Sequence, residues 1–137
     1  MHQSDHDLMS SFEACSLDPA AFSHRNHVRL AWIYLGMFPL PQALDRFTRG
    51  LQRFARNLGK DMLFHQTITS AYLLIISDRM SRKPELDWEA FAAANKDLFA
   101  RNPSILDLYY RPDTLASDHA RRAFVFPDLI AAPASIS

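Results

Sequence analysis

One cysteine, three glycines and no excess charge of either sign are the first things the 137-residue sequence shows. A lone Cys15 excludes an intrachain disulfide framework and a thiolate zinc site, and it suits a reducing compartment. So few glycines, set against 48% hydrophobic and 12% aromatic residues, fit packed helices better than a turn-rich sandwich or barrel. Fifteen basic residues balance fifteen acidic ones, so no global field draws the chain to nucleic acid or to an anionic membrane. Long hydrophobic runs are missing too: "AYLLII" is far too short to span a bilayer. The segment "MHQSDHDLMSSFEAC" has no basic stretch followed by an apolar one, so it does not read as a signal peptide, and cytoplasm is the expected location. Neither a glycine-rich phosphate loop, nor a G-x-S-x-G elbow, nor a dinucleotide fingerprint occurs, which removes phosphoryl and hydride transfer.

What is present is helical periodicity. A short helix is expected from Asp5 to about Cys15, with Leu8, Met9, Phe12 and Cys15 on one face. A second runs from Ser23 to about Phe38, where "FPLP" stops it, and its body "VRLAWIYLGMF" is apolar nearly all round. Pro41 opens a third, in which Ala43, Leu44, Phe47, Leu51, Phe54, Ala55 and Leu58 recur at i, i+3, i+4, and Gly59 suits the left-handed residue that follows a helix. Asp61 caps a fourth that carries "MLFHQTITSAYLLIISDRM" and ends near Met80; Asp87 caps a short fifth. Cap signals at Asp107, Asp113 and Ser117 predict short helical turns wrapping the bundle, and about 130–137 reads as a loose tail. The expectation is one all-α domain of four to five main helices with an irregular C-terminal wrap.

Chemistry is concentrated in histidines. In "FSHRNHVRLAW", His24 and His27 lie three apart at the start of the second helix, with Cβ atoms about 5–6 Å from each other. His65 in "FHQTIT" sits at the start of the fourth. Short connections alternate helix direction, so the second and fourth run parallel and bring all three rings to one bundle end, beside Gly59, Lys60 and Asp61. Helix N-termini disfavour imidazolium, and neutral imidazole is the form that abstracts protons or binds metals. His24, His27 and His65 are therefore expected as catalytic groups, either by acid-base chemistry or as ligands of a divalent zinc, iron or copper ion with an open position. The glutamate of H-E-x-x-H and the Glu-x-x-His pair of di-iron bundles are both lacking. A plainer alternative makes His24 a cap, His27 a core residue and His65 the partner of a loop carbonyl.

Around these, Thr67 and Thr69 are expected to orient a substrate carbonyl or a ring, Tyr34 and Tyr72 to floor the pocket, and Arg25 to fix an anionic group. Tyr109-Tyr110 is a candidate lid. "FSHRNHVRLAW", "FHQTIT" and "ARRAFVFPD" resemble small bacterial all-helical proteins over most of the chain, a resemblance that implies the fold and no activity. In outline the chain also resembles the histidine-based metalloproteins of the DinB/YfiT type, whose ligand spacing it does not match, so no residue is carried over. The function expected is a small-molecule enzyme, a lyase, isomerase, hydrolase or metal-dependent oxygenase; the alternative is a non-catalytic ligand-binding or interaction module. A homodimer is the expected assembly, covering the apolar surplus of "AYLLII".

Overall fold

In the computed structural model, which describes residues 2–129, the chain folds into seven α-helices joined by 3-10 turns, with no strand among those residues. The helices are α1 (Gln3–Glu13), α2 (His24–Met37), α3 (Leu40–Asn57), α4 (Gln66–Arg82), α5 (Trp88–Ala94), α6 (Pro112–Ala116) and α7 (Asp118–Arg122). This is the expected all-α bundle, α1 to α5 forming its body and α6 and α7 the wrap. The expected loose tail, 130–137, lies outside the described residues.

Local chemistry accounts for most boundaries. Ser23 caps α2 by accepting from the Asn26 N–H at 3.2 Å, and Asp87 caps α5 by accepting from that of Ala90 at 2.9 Å. Gly59 adopts φ +68° just past α3, where a residue with a Cβ would be strained. Two boundaries differ from expectation. α1 ends at Glu13, and Cys15 stands outside it at φ 58°, in the left-handed turn through which the Ser16 and Leu17 N–H groups reach the Ser11 carbonyl. Asp61 opens only a 3-10 turn, Asp61–Leu63, and α4 starts later with His65 itself as cap. The imidazole there supplies the acceptor that Asp61 was expected to supply.

The core is assembled around Phe12. Its ring is fully buried and lies 5.6–6.4 Å, centroid to centroid, from those of Phe22, Tyr34, Phe47 and Phe54. α1 reaches α3 this closely because Gly50 has no side chain: a Cβ there would come within 2.7 Å of the Phe12 ring. Beside it the buried Asp5 carboxylate accepts from Arg29 Nε at 2.7 Å, so a charge inside α1 is paired with one on α2. In the run "AYLLII" Ala71, Leu73 and Ile76 are buried, Tyr72 and Ile75 are partly buried, and Leu74 is 39% exposed. Among the described residues no helix is long and apolar enough to cross a membrane.

Candidate functional site

Where the starts of α2 and α4 meet the segment after α5, the bundle opens into a cleft of about 580 Å³. His24, His27 and His65 all line it. Its walls are Phe22, Leu51, Phe54, Leu58 and Phe64, with Ile68, Thr69 and Tyr72 on the α4 side. A smaller pouch of about 70 Å³ continues between α2, α3 and α4, sharing His24, His27, Thr69 and Tyr72 with the cleft and ending on Val28, Ala31, Leu73 and Ile76.

The three rings hold different positions in the hydrogen-bond economy of the fold. His65 uses both nitrogens: Nδ1 accepts from the Ile68 N–H at 3.1 Å, capping α4, and Nε2–H donates to the Leu115 carbonyl at 2.7 Å, tying α4 to the wrap. His24 uses one, donating from Nε2 to the Leu98 carbonyl at 2.8 Å, which fixes the neutral tautomer with Nδ1 left as acceptor. Leu98 is itself held in place by its neighbour, because Asp97 receives both guanidinium nitrogens of Arg79 at 2.6 and 2.8 Å. His27 uses none: among the described residues its ring makes no hydrogen bond, and it packs edge-on to Phe22 at 4.3 Å and to Phe47 at 6.2 Å.

Electrostatics follow from this placement. Burial lowers the His27 pKa from 6.5 to about 4, and the nearby His24 and Arg101 push in the same direction. His24 is lowered as well, by burial first and by Arg101, while its bond to the Leu98 carbonyl works against the shift. Burial raises the Tyr72 phenol; Ser104 and Arg101 pull it down and Asp107 pushes it up. At neutral pH the cleft therefore presents a neutral His27 and a neutral Tyr72 phenol beside an arginine.

Among the described residues no group of three or more His, Cys, Asp or Glu side chains is placed to hold a metal ion. His65 has both ring nitrogens hydrogen-bonded within the fold, whereas His24 keeps Nδ1 and His27 both of its nitrogens. Of the three rings named for a zinc, iron or copper centre, only His27 is free of hydrogen bonds among the described residues. The carbonyl that His65 bonds belongs to Leu115 in α6, where the plainer alternative expects one in a loop, and all three rings line one cavity.

Of the surrounding candidates, Thr69 and Tyr72 line the cleft, and the His24 and Tyr72 rings meet at 5.3 Å. Three do not. Tyr34 is a core residue whose hydroxyl donates to the Glu13 carboxylate at 2.7 Å, and burial raises its pKa. Thr67 is fully buried and pins the wrap, its hydroxyl donating to the Ala123 carbonyl at 2.7 Å and accepting from the Val125 N–H at 3.1 Å. Arg25 lies over the Trp88 and Phe99 rings at 5.4 and 5.2 Å, outside the cleft. Nor is Tyr110 a lid: it is buried and donates to the Val125 carbonyl.

The sequence reading missed Arg101 and Ser104 in the lining. Nothing local marks Arg101, because Asp97, four residues earlier, stands ready as an ion-pair partner, and only the fold commits Asp97 to Arg79. Phe22 and Leu115 were equally hidden, one in a turn and one in the wrap.

No protein-family model matches the chain, and no curated protein or solved structure matches it significantly.

Proposed function

We propose that the protein is a small-molecule enzyme that works by acid-base chemistry in the histidine cleft, with His27 as the proton-accepting group. The observation that carries this reading is the unbonded His27 ring in the wall of a cleft it shares with His24 and His65, whose rings are each hydrogen-bonded to the fold. A ring with a pKa of about 4 is neutral at pH 7 and ready to accept a proton, but it is a weak base. It suits a substrate proton that a neighbouring positive charge has made more acidic, and Arg101 supplies that charge, stabilising the anion formed when the proton leaves. Tyr72 and Thr69 are placed to hydrogen-bond a substrate oxygen. Proton abstraction, elimination and isomerisation fit this arrangement best. His24 and His65 act as positioning residues.

The test is exchange of carbon-bound protons with solvent deuterium in a panel of small carbonyl compounds, charged and neutral, followed by proton NMR. Incorporation should occur with at least one compound and fall by about a hundredfold or more in His27→Gln. The weak basicity of His27 favours a second reading, a non-catalytic ligand-binding module. Compounds that bind in the cleft with no incorporation across the panel would favour that module and sink the enzyme.

A further inference from the structure

The charges around the cleft are one-sided. Lys60 and Arg101 both line it, both are exposed, and among the described residues neither side chain makes a salt bridge or hydrogen bond. No aspartate or glutamate appears in the lining. The carboxylate that acts on Tyr72, Asp107, is occupied in accepting from the Ser104 N–H at 3.0 Å. Asp61, next to Lys60 in sequence, faces a separate depression shared with Arg56, Arg121 and Arg122. The cleft therefore presents two unpaired cations and no compensating carboxylate.

Polarity also changes with depth. The cations belong to the outer cleft and are absent from the inner pouch, whose lining beyond the two histidines, Thr69 and Tyr72 is aliphatic or aromatic. A molecule filling both parts must be charged at one end and apolar at the other.

We infer that the cleft takes a small organic carboxylate, its acid group between Lys60 and Arg101 and its apolar body directed past His27 into the pouch formed by α2, α3 and α4. Arg101 is suited to a forked contact with the two carboxylate oxygens, and Lys60 adds a point charge. His27, unbonded in the free protein, meets the part of the ligand between head and tail. A phosphate ester of similar size would satisfy the cations, but its bulkier dianionic head calls for backbone donors in addition, and no glycine-rich loop faces the cleft. This inference rests on the cleft being the working site; its failure is distinguishable from failure of that reading.

The experiment titrates protein labelled with 15N in its histidine rings with phenylacetate and hexanoate, and in parallel with the isosteric neutral amides, phenylacetamide and hexanamide. The acids should perturb the His27 ring and bind about tenfold or more tightly than the amides, the gain expected of a charge-assisted contact. Arg101→Gln and Lys60→Gln, both at exposed positions, should each weaken the acids by several-fold and leave the amides unchanged. Within the series from propanoate to hexanoate, affinity should rise with chain length as the pouch fills. Amides binding as tightly as acids, or acids indifferent to Arg101→Gln, would overturn the carboxylate assignment while leaving the cleft as the site. Acids and amides that all leave His27 unperturbed would overturn both.

Discussion

Two regions beside α2, a closed end against α1 and an open end at the start of α4, are built on opposite terms. Toward α1, Phe12 fills the space that Gly50 leaves, Tyr34 donates to Glu13, and Asp5 is buried only because Arg29 meets it. Toward the start of α4, two cations go unpaired, His27 goes unbonded, and the space between aromatic walls stays open. The first end satisfies its polar groups internally and is complete without a ligand. The second has donors, acceptors and charge left over, which is the condition for recognising something from outside. His24 and His65 lie on the border, each with a nitrogen serving the fold, so that the fold holds the cleft in shape.

If that contrast is right, damage to the closed end should cost the most. Phe12→Ala removes a fully buried ring from the centre of four aromatic neighbours and should destabilise the protein by about 3–5 kcal/mol in chemical denaturation. A loss below about 1 kcal/mol would mean that α1 is only loosely docked and that the comparison is misdrawn.

Acidification should reach the open end next. His27 has its folded pKa lowered to about 4 from an ordinary 6.5, so between these values the unfolded chain binds the extra proton. Its contribution is complete above the unfolded value and is lost as pH falls toward the folded one, to an extent on the order of 3 kcal/mol. Denaturation midpoints measured from pH 7 to pH 4 should fall, and fall less in His27→Gln. An equal decline in both proteins would place the acid sensitivity in the carboxylates instead.

The smallest of the three effects concerns the wrap. Thr67→Val keeps the shape of the side chain and strips the Ala123 carbonyl and Val125 N–H of their shared partner, at a cost of about 1–3 kcal/mol. Amide exchange should quicken at Val125 while the protection of α3 is unchanged. Unaltered exchange at Val125 would mean that Tyr110, which also holds the Val125 carbonyl, fixes the segment alone.

Much of this arrangement is legible in the sequence, and the part that is not has a consistent cause. Periodicity and caps reveal α2, α3 and α5 almost to the residue, since Ser23, Pro41, Gly59 and Asp87 act within their own turns. Alternating helix direction brings the three histidines to one cavity. The start of α4 escapes, because Asp61 and His65 both can cap a helix and the choice depends on Leu115, fifty residues away, offering a carbonyl to His65 Nε2. Thr67 and Tyr34 escape for the same reason: their partners, Ala123, Val125 and Glu13, come from other elements. Spacing counts imidazoles, but it does not show that the Ile68 N–H takes the lone pair of His65 Nδ1. Residue type and spacing thus locate the cleft, while long-range hydrogen bonds decide which of its rings is at liberty.

That liberty of His27 is the center of the account, and ring 15N NMR of selectively labelled protein tests it most directly. His27 should stay neutral until the pH falls to about 4, its nitrogens should show no protein hydrogen bond while His65 shows one at each, and added phenylacetate should shift His27 most. A His27 that titrates at its ordinary value of 6.5 and ignores the added acid would contradict it.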